Sequence, residues 1–588
     1  MNRRVRDLDR DPTRREFGNV QSVFSIKQLL ALTGFLALLL VTACGGDATV
    51  TPASGAPVAI STESPSRSDA PFRVNLGGEP NNLDPQLASS LLEFSVLRQI
   101  SQGLLGFDTN LILTPLVAAM VPTVENGGIT ADGLTYTFKL RDGVTWSDGR
   151  PLTAGDFEYT FKRLLSPETA GPYADFFTVI QGGEEYMMAM EADQAAKASL
   201  REALGISAAS DDTLIINLAA PNPTFLQKVA LVAALPVRRD VIERHGAAWT
   251  EAGNHVGNGP YVLSEWVHQD HITLEANPNY WGRAPMQARI QLSMITDVNA
   301  ELTAYKAGDL DIARIPPGTE SGILGDPILG DQVLPSSQLS SLALFFNTTV
   351  EPLDDTKVRR AIATGIDRAS WTDRVKKGVG EPATGWLPPG LPGYDPQVGR
   401  EYEFDADEAR NLLAEAGYPG GDGFPKISLT YVEAGDQGLM AQFLQAQLSE
   451  NLGIELGLIP LDPPSYGQRV IGGRQFEVTL LAWTADYPDP ENFLASLFSS
   501  ESFLDITGYS SDEFDRLAGL AAVELDQESR VGLWSQAHQV MIADAPIAPF
   551  IYVERYYLKS PNVQGLALTG IDGEIPGDTR LAEVYLSP

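Results

Sequence analysis

The sequence predicts an α/β protein built from two or three lobes, and three observations lead there. Strand-like runs interleave with amphipathic helical segments along the chain. One stretch, between residues 405 and 483, reads as a complete strand–helix–strand unit with a continuation. With 588 residues the chain is longer than a single hydrophobic core sustains.

The first 43 residues read as an address rather than as part of that fold. A leader with Arg3, Arg4, Arg6, Arg10, Arg14, Arg15 and Lys27 precedes an apolar run from Leu29 to Ala43, too short to span a bilayer comfortably. It ends in Val41-Thr42-Ala43-Cys44, which resembles a bacterial lipobox, where small residues admit the signal peptidase and the thiol accepts a lipid. Cys44 is the only cysteine, so no disulfide forms within the chain, and its position assigns it to lipidation rather than to a core. Thr13-Arg14-Arg15-Glu16-Phe17 also resembles the start of a twin-arginine signal, from which Gly18 and Asn19 depart; the export route stays open. Residues 44–70, rich in Gly, Pro, Ser and Thr without an aromatic, form a flexible tether spanning roughly 28 Å as a coil.

Past the tether, Leu134–Leu140 alternates as a half-buried strand and a helix follows over about 154–165. The Ala-, Met- and Glu-rich run from Glu184 to Leu204 reads as one further helix. In the 405–483 stretch, Asp405 with Glu408 makes a capping-box-like start, Ala409, Leu412, Leu413 and Ala416 recur at helical spacing, and Gly417 stops the helix. A strand at Ile427–Val432, a helix carrying Met440, Phe443, Leu444, Leu448 and Leu452 up to Gly453, and strands near 454–461 and 476–483 complete the unit, which implies a mostly parallel sheet.

The net charge of −34 disfavours nucleic acid and anionic lipid as partners, though a solvated acidic surface accounts for it equally well. Catalytic signatures are absent. The five histidines, His245, His255, His268, His271 and His538, are scattered and none sits in H-E-x-x-H. There is no phosphate loop, no G-x-S-x-G elbow and no thiol beyond Cys44. Acidic pairs such as Asp354/Asp355 and Glu184/Glu185 are too common here to single out a dyad. The chain is therefore expected not to be an enzyme, and no cofactor or metal is expected.

A series of motifs occurs in a recognisable order: Glu79-Pro80-Asn81-Asn82-Leu83-Asp84-Pro85, Gln102-Gly103-Leu104-Leu105, and the block from Phe138 to Gly149. Gly257-Asn258-Gly259-Pro260-Tyr261, Asn277-Pro278-Asn279-Tyr280-Trp281 and Tyr305-Lys306-Ala307-Gly308-Asp309 follow, then Val358-Arg359-Arg360-Ala361-Ile362, Ala482-Trp483-Thr484-Ala485-Asp486-Tyr487 and Asp544-Ala545-Pro546-Ile547. Together they resemble the extracellular solute-binding proteins of peptide and nickel ABC importers over residues 72–588. Ser166–Ala174 and Arg244–Thr250 are similar to the oligopeptide-binding branch.

The resemblance implies a type II periplasmic-binding-protein-like α/β fold: two α/β lobes joined by a hinge plus an extra third lobe. The first lobe would comprise 71–112, 236–338 and 546–588, the extra lobe 113–235 and the opposite lobe 339–545. It further implies a monomeric lipoprotein that captures oligopeptides between closing lobes and delivers them to a permease driven by ATPase subunits. Dipeptides, opines, oligosaccharides or chelated nickel are the alternative ligands. Many matching residues read as structural: Gly257, Gly259 and Pro260 as turn punctuation, Tyr280 and Trp281 as a core plug, and Arg359 and Arg360 as the start of a helix beside the hinge.

The candidate ligand contacts are Asp486, Trp483, Tyr487, Tyr173, Ser89 and Leu91. The resemblance puts Asp486 where peptide binders hold the ligand's α-amino group. Locally, Phe476–Trp483 reads as a buried strand, so Asp486 falls beyond its carboxyl end, where open α/β sheets bind ligands. Asp489, followed by Pro490 and Glu491, makes a helix cap, which leaves Asp486 without a structural duty. Trp483 offers an apolar wall. Leu480 stands where some oligopeptide binders carry a basic residue, so the partner of the peptide carboxylate stays open.

Overall fold

The computed structural model describes residues 70–502, 504–571 and 575–587. The leader, Cys44 and all but the last residue of the tether lie outside the described residues. Ten strands form the backbone of the molecule: β1 (Phe72–Asn75), β2 (Tyr261–Val267), β3 (His271–Ala276), β4 (Arg289–Ser293), β5 (Ile312–Arg314), β6 (Val333–Phe346), β7 (Ile427–Val432), β8 (Leu456–Leu461), β9 (Val478–Thr484) and β10 (Ile547–Lys559). They are hydrogen-bonded in the order β8-β7-β9-β6-β10-β5-β1-β4-β3-β2, and Glu381–Pro382 pairs with β10 off this path.

Two long strands carry the chain from one half of the molecule to the other. β6 and β10 pair antiparallel from Val333↔Leu558 to Phe345↔Ile547. Leu342, Leu344, Phe345 and Phe346 of β6 are buried on both faces of the sheet with Trp371, Trp386, Leu429, Leu444 and Phe550. Leu334, at the other end of β6, packs instead on a second buried cluster containing Phe72, Phe138, Phe157, Tyr261, Leu292 and Tyr557. The β6–β10 register breaks between Ser337 and Ser341, where the strands leave one core for the other. An irregular pairing concentrates bending there. β10 stays with the core of the 339–545 segment through Val553 and reaches the other core at Tyr557, later than the crossing at 546 implied by the resemblance.

The sheet is mixed, which corrects the mostly parallel expectation. β7 pairs in parallel with β8 and β9, and β1 with β4 and β5. The crossing strands β6 and β10 are antiparallel to each other and to β9 and β5, and β2, β3 and β4 form an antiparallel meander. The strand–helix–strand logic holds where a helix joins two parallel-running strands, Gln437–Leu452 between β7 and β8 and Val298–Ala307 between β4 and β5, while the crossing strands run antiparallel to their neighbours.

Within that unit the helix Ala406–Glu415 starts at Asp405, whose side chain accepts from the backbone of Asp407 and Glu408. The helix Gln437–Leu452 ends at Gly453 with φ 70°, as the glycine predicts. The segment 113–235 holds a small antiparallel sheet of Thr135–Lys139, Ile206–Ser210 and Thr213–Asn217. Helix Ala154–Leu164 covers it through Phe157, Phe161 and Leu164, and these share one continuous buried cluster with Phe72 and Ile290.

The helix expected over 184–204 is two, Gly183–Met187 and Gln194–Ala203. Asp193 caps the second by accepting from Ala196 N at 2.8 Å, and that local bond competes with continuation through the break. Gly257 and Gly259 also serve another purpose than turn punctuation. A Cβ on Gly257 would lie 2.0 Å from the carbonyl oxygen of Ile100, and one on Gly259 2.4 Å from its carbonyl carbon, so both glycines let this loop pack against the end of helix Leu91–Ile100.

Candidate functional site

The site grows from the end of β9. Val478–Ala482 are buried, the strand runs out at Thr484, and within five residues Asp489 caps the short helix Pro490–Phe493 by accepting from Glu491 N. This tight strand-to-helix connection lets Asn492 reach back. Its Oδ1 accepts from the backbone N of Asp486 at 3.0 Å and from Trp483 Nε1 at 3.1 Å, while its Nδ2 donates to Asp486 Oδ2 at 2.9 Å. The other carboxylate oxygen, Oδ1, accepts from Tyr173 OH at 3.0 Å, and Tyr173 belongs to the 113–235 segment.

Asp486 is thus held by two neutral donors, one from each side of the gap between the cores. Burial pushes its carboxyl above the ordinary aspartate range, and the hydrogen bonds from Asn492 and Tyr173 and the charge of Arg98 act against that rise. Such a carboxylate, oriented but bonded only to neutral donors at these two contacts, retains capacity to accept a charge-assisted bond from an ammonium.

Further contacts tie the two cores together around it. Glu491 accepts from Lys228 Nζ at 2.8 Å and from Thr224 Oγ1 at 2.7 Å. Behind it Arg530 grips Asp489 with two bonds of 2.6 and 2.7 Å, all of it buried. Tyr487 is fully buried and packs in the cluster of the opposite half, edge-on to Phe176 at 6.0 Å. Elsewhere on the boundary Lys376 lies between Glu320 at 2.9 Å and Asp436 at 2.5 Å. Glu320 belongs to a helix that packs beside β5 and β10, and Lys376 and Asp436 to the 339–545 segment.

A cavity of about 730 Å³ opens beside Asp486, within the range for small-ligand sites. Its walls include Arg98, Gln102, Tyr280, Arg283 and Arg580, and Asp486 is the one lining residue from the 339–545 segment.

Asp486 bonds Tyr173 directly and meets Trp483 through Asn492, Tyr487 packs beside Phe176 and Tyr173, and Leu91 packs on the same cluster as Tyr173 and Tyr487. Of the six candidates only Asp486 lines this cavity. Trp483 is half-buried and orients Asn492; Tyr487 is a plug between the halves with no surface for a ligand. Ser89 is buried, and its backbone N donates to Glu93 Oε2 at 2.6 Å within the capping box of helix Leu91–Ile100. Leu91 packs as the first residue of that helix. Tyr280, expected as a core plug, lines the cavity and donates to Gln102 Oε1 at 3.0 Å. Leu480 is buried in β9. Asn492 and Lys228 were not singled out by sequence reasoning. The signal for Asn492 was the predicted cap at Asp489, which places residue 492 in the first turn facing back along the loop.

Residues 83–505 match the family described as bacterial extracellular solute-binding proteins, family 5. The chain belongs to this family. It is 29% identical to the oligopeptide-binding protein OppA of Bacillus subtilis over 545 residues, covering 91% of this chain and 96% of that one. With the periplasmic oligopeptide-binding protein OppA of Escherichia coli it shares 30% identity over 502 residues, 84% of this chain and 88% of the relative. Its fold superposes with a TM-score of 0.74 on the crystal structure of a periplasmic oligopeptide-binding protein of an oligopeptide ABC transporter from Borrelia burgdorferi, at 28% identity over 88% of this chain and 99% of that one. The family assignment establishes the type II binding-protein fold and a solute-binding role outside the cytoplasm. Among the described residues no helix is long and apolar enough to cross a membrane.

Proposed function

We propose that this chain is the lipid-anchored substrate-binding protein of an ABC importer, that it captures oligopeptides between two closing lobes, and that it delivers them to the permease and its ATPase subunits. The observation that carries the reading is Asp486, a carboxylate oriented by Tyr173 and Asn492 that reaches from the 339–545 segment to the wall of a cavity otherwise lined by the other half. The curated relatives named above are oligopeptide-binding proteins, which supports the ligand class. The lobes are 71–112 with 236–338 and the C-terminal segment, 113–235 as the extra lobe, and 339–545; the β6–β10 crossing is the hinge. Cys44 carries the acyl anchor, the tether holds the body clear of the headgroups, and the protein works as a monomer. Binding is not coupled to turnover.

The ligand is pinned by its ammonium, and its backbone and side chains are accommodated with little sequence selectivity. The test is to purify the protein from cells, denature it, and identify the released small molecules by mass spectrometry. A heterogeneous set of peptides is expected. A single sugar or metal chelate would overturn the peptide reading.

A further inference from the structure

A second cavity, of about 370 Å³, opens on the 113–235 segment and shares no lining residue with the one beside Asp486. It lies where helices Ala154–Leu164 and Gln194–Ala203 meet the start of helix Arg239–His245. Acidic residues outnumber basic ones in the chain, 76 to 42, but this wall reverses the balance. Lys162, Arg163, Lys197, Arg201 and Arg239 reach it, against the carboxylates of Glu168 and Glu243. Four of these cations are committed. Lys197 bonds Glu168 at 2.9 Å and Arg239 bonds Glu243 at 2.7 Å. Lys162 pairs with Glu158 at 2.9 Å and more loosely with Glu202 at 3.8 Å, and Arg163 holds Asp84 at 2.5 Å. Arg201 makes no hydrogen bond or ion pair among the described residues, although it lies within electrostatic range of Glu158. The hydroxyl of Tyr159 is likewise unbonded among them. Its ring carries the Arg239 guanidinium at 5.9 Å, and Arg163, Arg201, Arg239 and Glu243 all act on the phenol electrostatically. Burial keeps that phenol above its ordinary value, so at neutral pH the hydroxyl is a donor.

We propose that this second cavity is an anion site for a phosphate group, received by the Arg201 guanidinium and the Tyr159 hydroxyl with Arg239 at the rim. The site is independent of Asp486 and of the peptide reading. Its donors come from three separate helices, which suits a tetrahedral group with acceptor oxygens on every side better than a flat carboxylate. The guanidinium fork of Arg201 can bond two of those oxygens at once. Arg239 spends only Nε on Glu243, so its terminal nitrogens remain able to donate. A volume of about 370 Å³ falls at the small end of ligand sites, as a single phosphate with a short substituent requires. The same group can arrive on a soluble phosphomonoester or on the headgroup of an anionic phospholipid, and the experiment separates the two sources.

The soluble probes are inorganic phosphate and glycerol 3-phosphate, titrated by calorimetry into the wild-type protein, Arg201→Gln and Tyr159→Phe at low and high salt. Arg201 is partly exposed and unbonded, and Tyr159→Phe removes a single oxygen, so both variants keep the fold. For the lipid source, Cys44→Ser, which has no acyl chain of its own to insert, is sedimented with vesicles of phosphatidylcholine with or without phosphatidylglycerol. The same is done with Arg201→Gln or Tyr159→Phe added to it. At least one soluble probe should bind the wild-type protein, each substitution should weaken it at least threefold, the scale of an exposed ion pair, and added salt should shrink the difference. If instead only the phosphatidylglycerol vesicles retain the protein and each substitution releases it, the inference stands with a lipid headgroup as the source. No binding to any probe overturns the inference, as does binding that either substitution leaves unchanged.

Discussion

Tyr173 and Asp486, 313 positions apart in the chain, meet across the boundary between the two cores with the phenol donating to the carboxylate at 3.0 Å. Its bond from Asn492 is local, whereas its bond from Tyr173 joins segments of the two cores. In the proposed function this carboxylate receives the ligand's ammonium.

Asp486→Asn should therefore cost roughly 2–4 kcal/mol of peptide binding with little effect on folding, the range for removing one partner of a desolvated charge pair. N-acetylation of the peptide should cost a similar amount against the wild-type protein and little more against the variant. Calorimetry that finds acetylated and free peptides equally tight on the wild-type protein would refute the anchor.

A pH dependence follows from the same residue. Burial raises the Asp486 carboxyl above the ordinary range, and an ammonium binds only the ionised form. Affinity should fall as pH drops through that raised value, earlier than an ordinary aspartate would allow. Asp486→Asn should flatten this acid limb, and an identical limb in the variant would assign it to another group.

Glu320 and Lys376 provide a second closure contact, and here the halves are joined by an ion pair of 2.9 Å that Asp436 completes. Desolvation alone would pull the lysine down, but Asp436 and Glu320 outweigh it and hold it above its ordinary value. Glu320→Gln leaves the Lys376–Asp436 pair intact within one half and weakens only the bridge, by about 1.5–3 kcal/mol. Small-angle scattering should show a larger radius of gyration for ligand-free Glu320→Gln than for the wild-type protein. Identical radii would mean that the pair does not bias closure.

Glu554 sits opposite Ser337 where β6 and β10 change cores, 3% exposed, with Oε2 accepting from Tyr556 OH at 2.9 Å and Oε1 unbonded. Burial pushes its carboxyl up to about 8, with the charge of Glu381 adding to the rise. Below the ordinary glutamate range the folded and unfolded chains are both protonated and no penalty exists. Between that range and about 8 only the unfolded chain ionises, so stability falls as pH rises. Glu554→Gln should remove this part of the slope and stabilise the protein at pH 8 by on the order of 3 kcal/mol relative to its effect in acid. Urea denaturation across that window checks it; a difference between the two proteins that does not change with pH would remove Glu554 as the cause.

Cys44→Ser should leave peptide affinity unchanged and release the protein from membranes, because acyl chains rather than an acidic body supply stable anchoring. A variant that still sediments with membranes after a high-salt wash would contradict the lipoprotein assignment.

What the sequence determined by itself are the features set by neighbours in the chain. The helices capped by Asp405 and Asp489, the strand Ile427–Val432 and the stop at Gly453 follow from periodicity and caps, which act within a few residues. The order of motifs likewise carried the family, and the run beyond β9 marked Asp486. Where local signals were mixed the reading failed, as at Asp193, whose cap divides a helix that composition alone makes continuous. Tertiary structure decided the rest. That the sheet is mixed, that Tyr487 is a plug between the halves and that Tyr280 faces a cavity all depend on segments distant in sequence being brought together. At Asp486 the bond from Asn492 is local to one loop, whereas Tyr173 and Arg98 act on it only because the fold brings segments distant in sequence together.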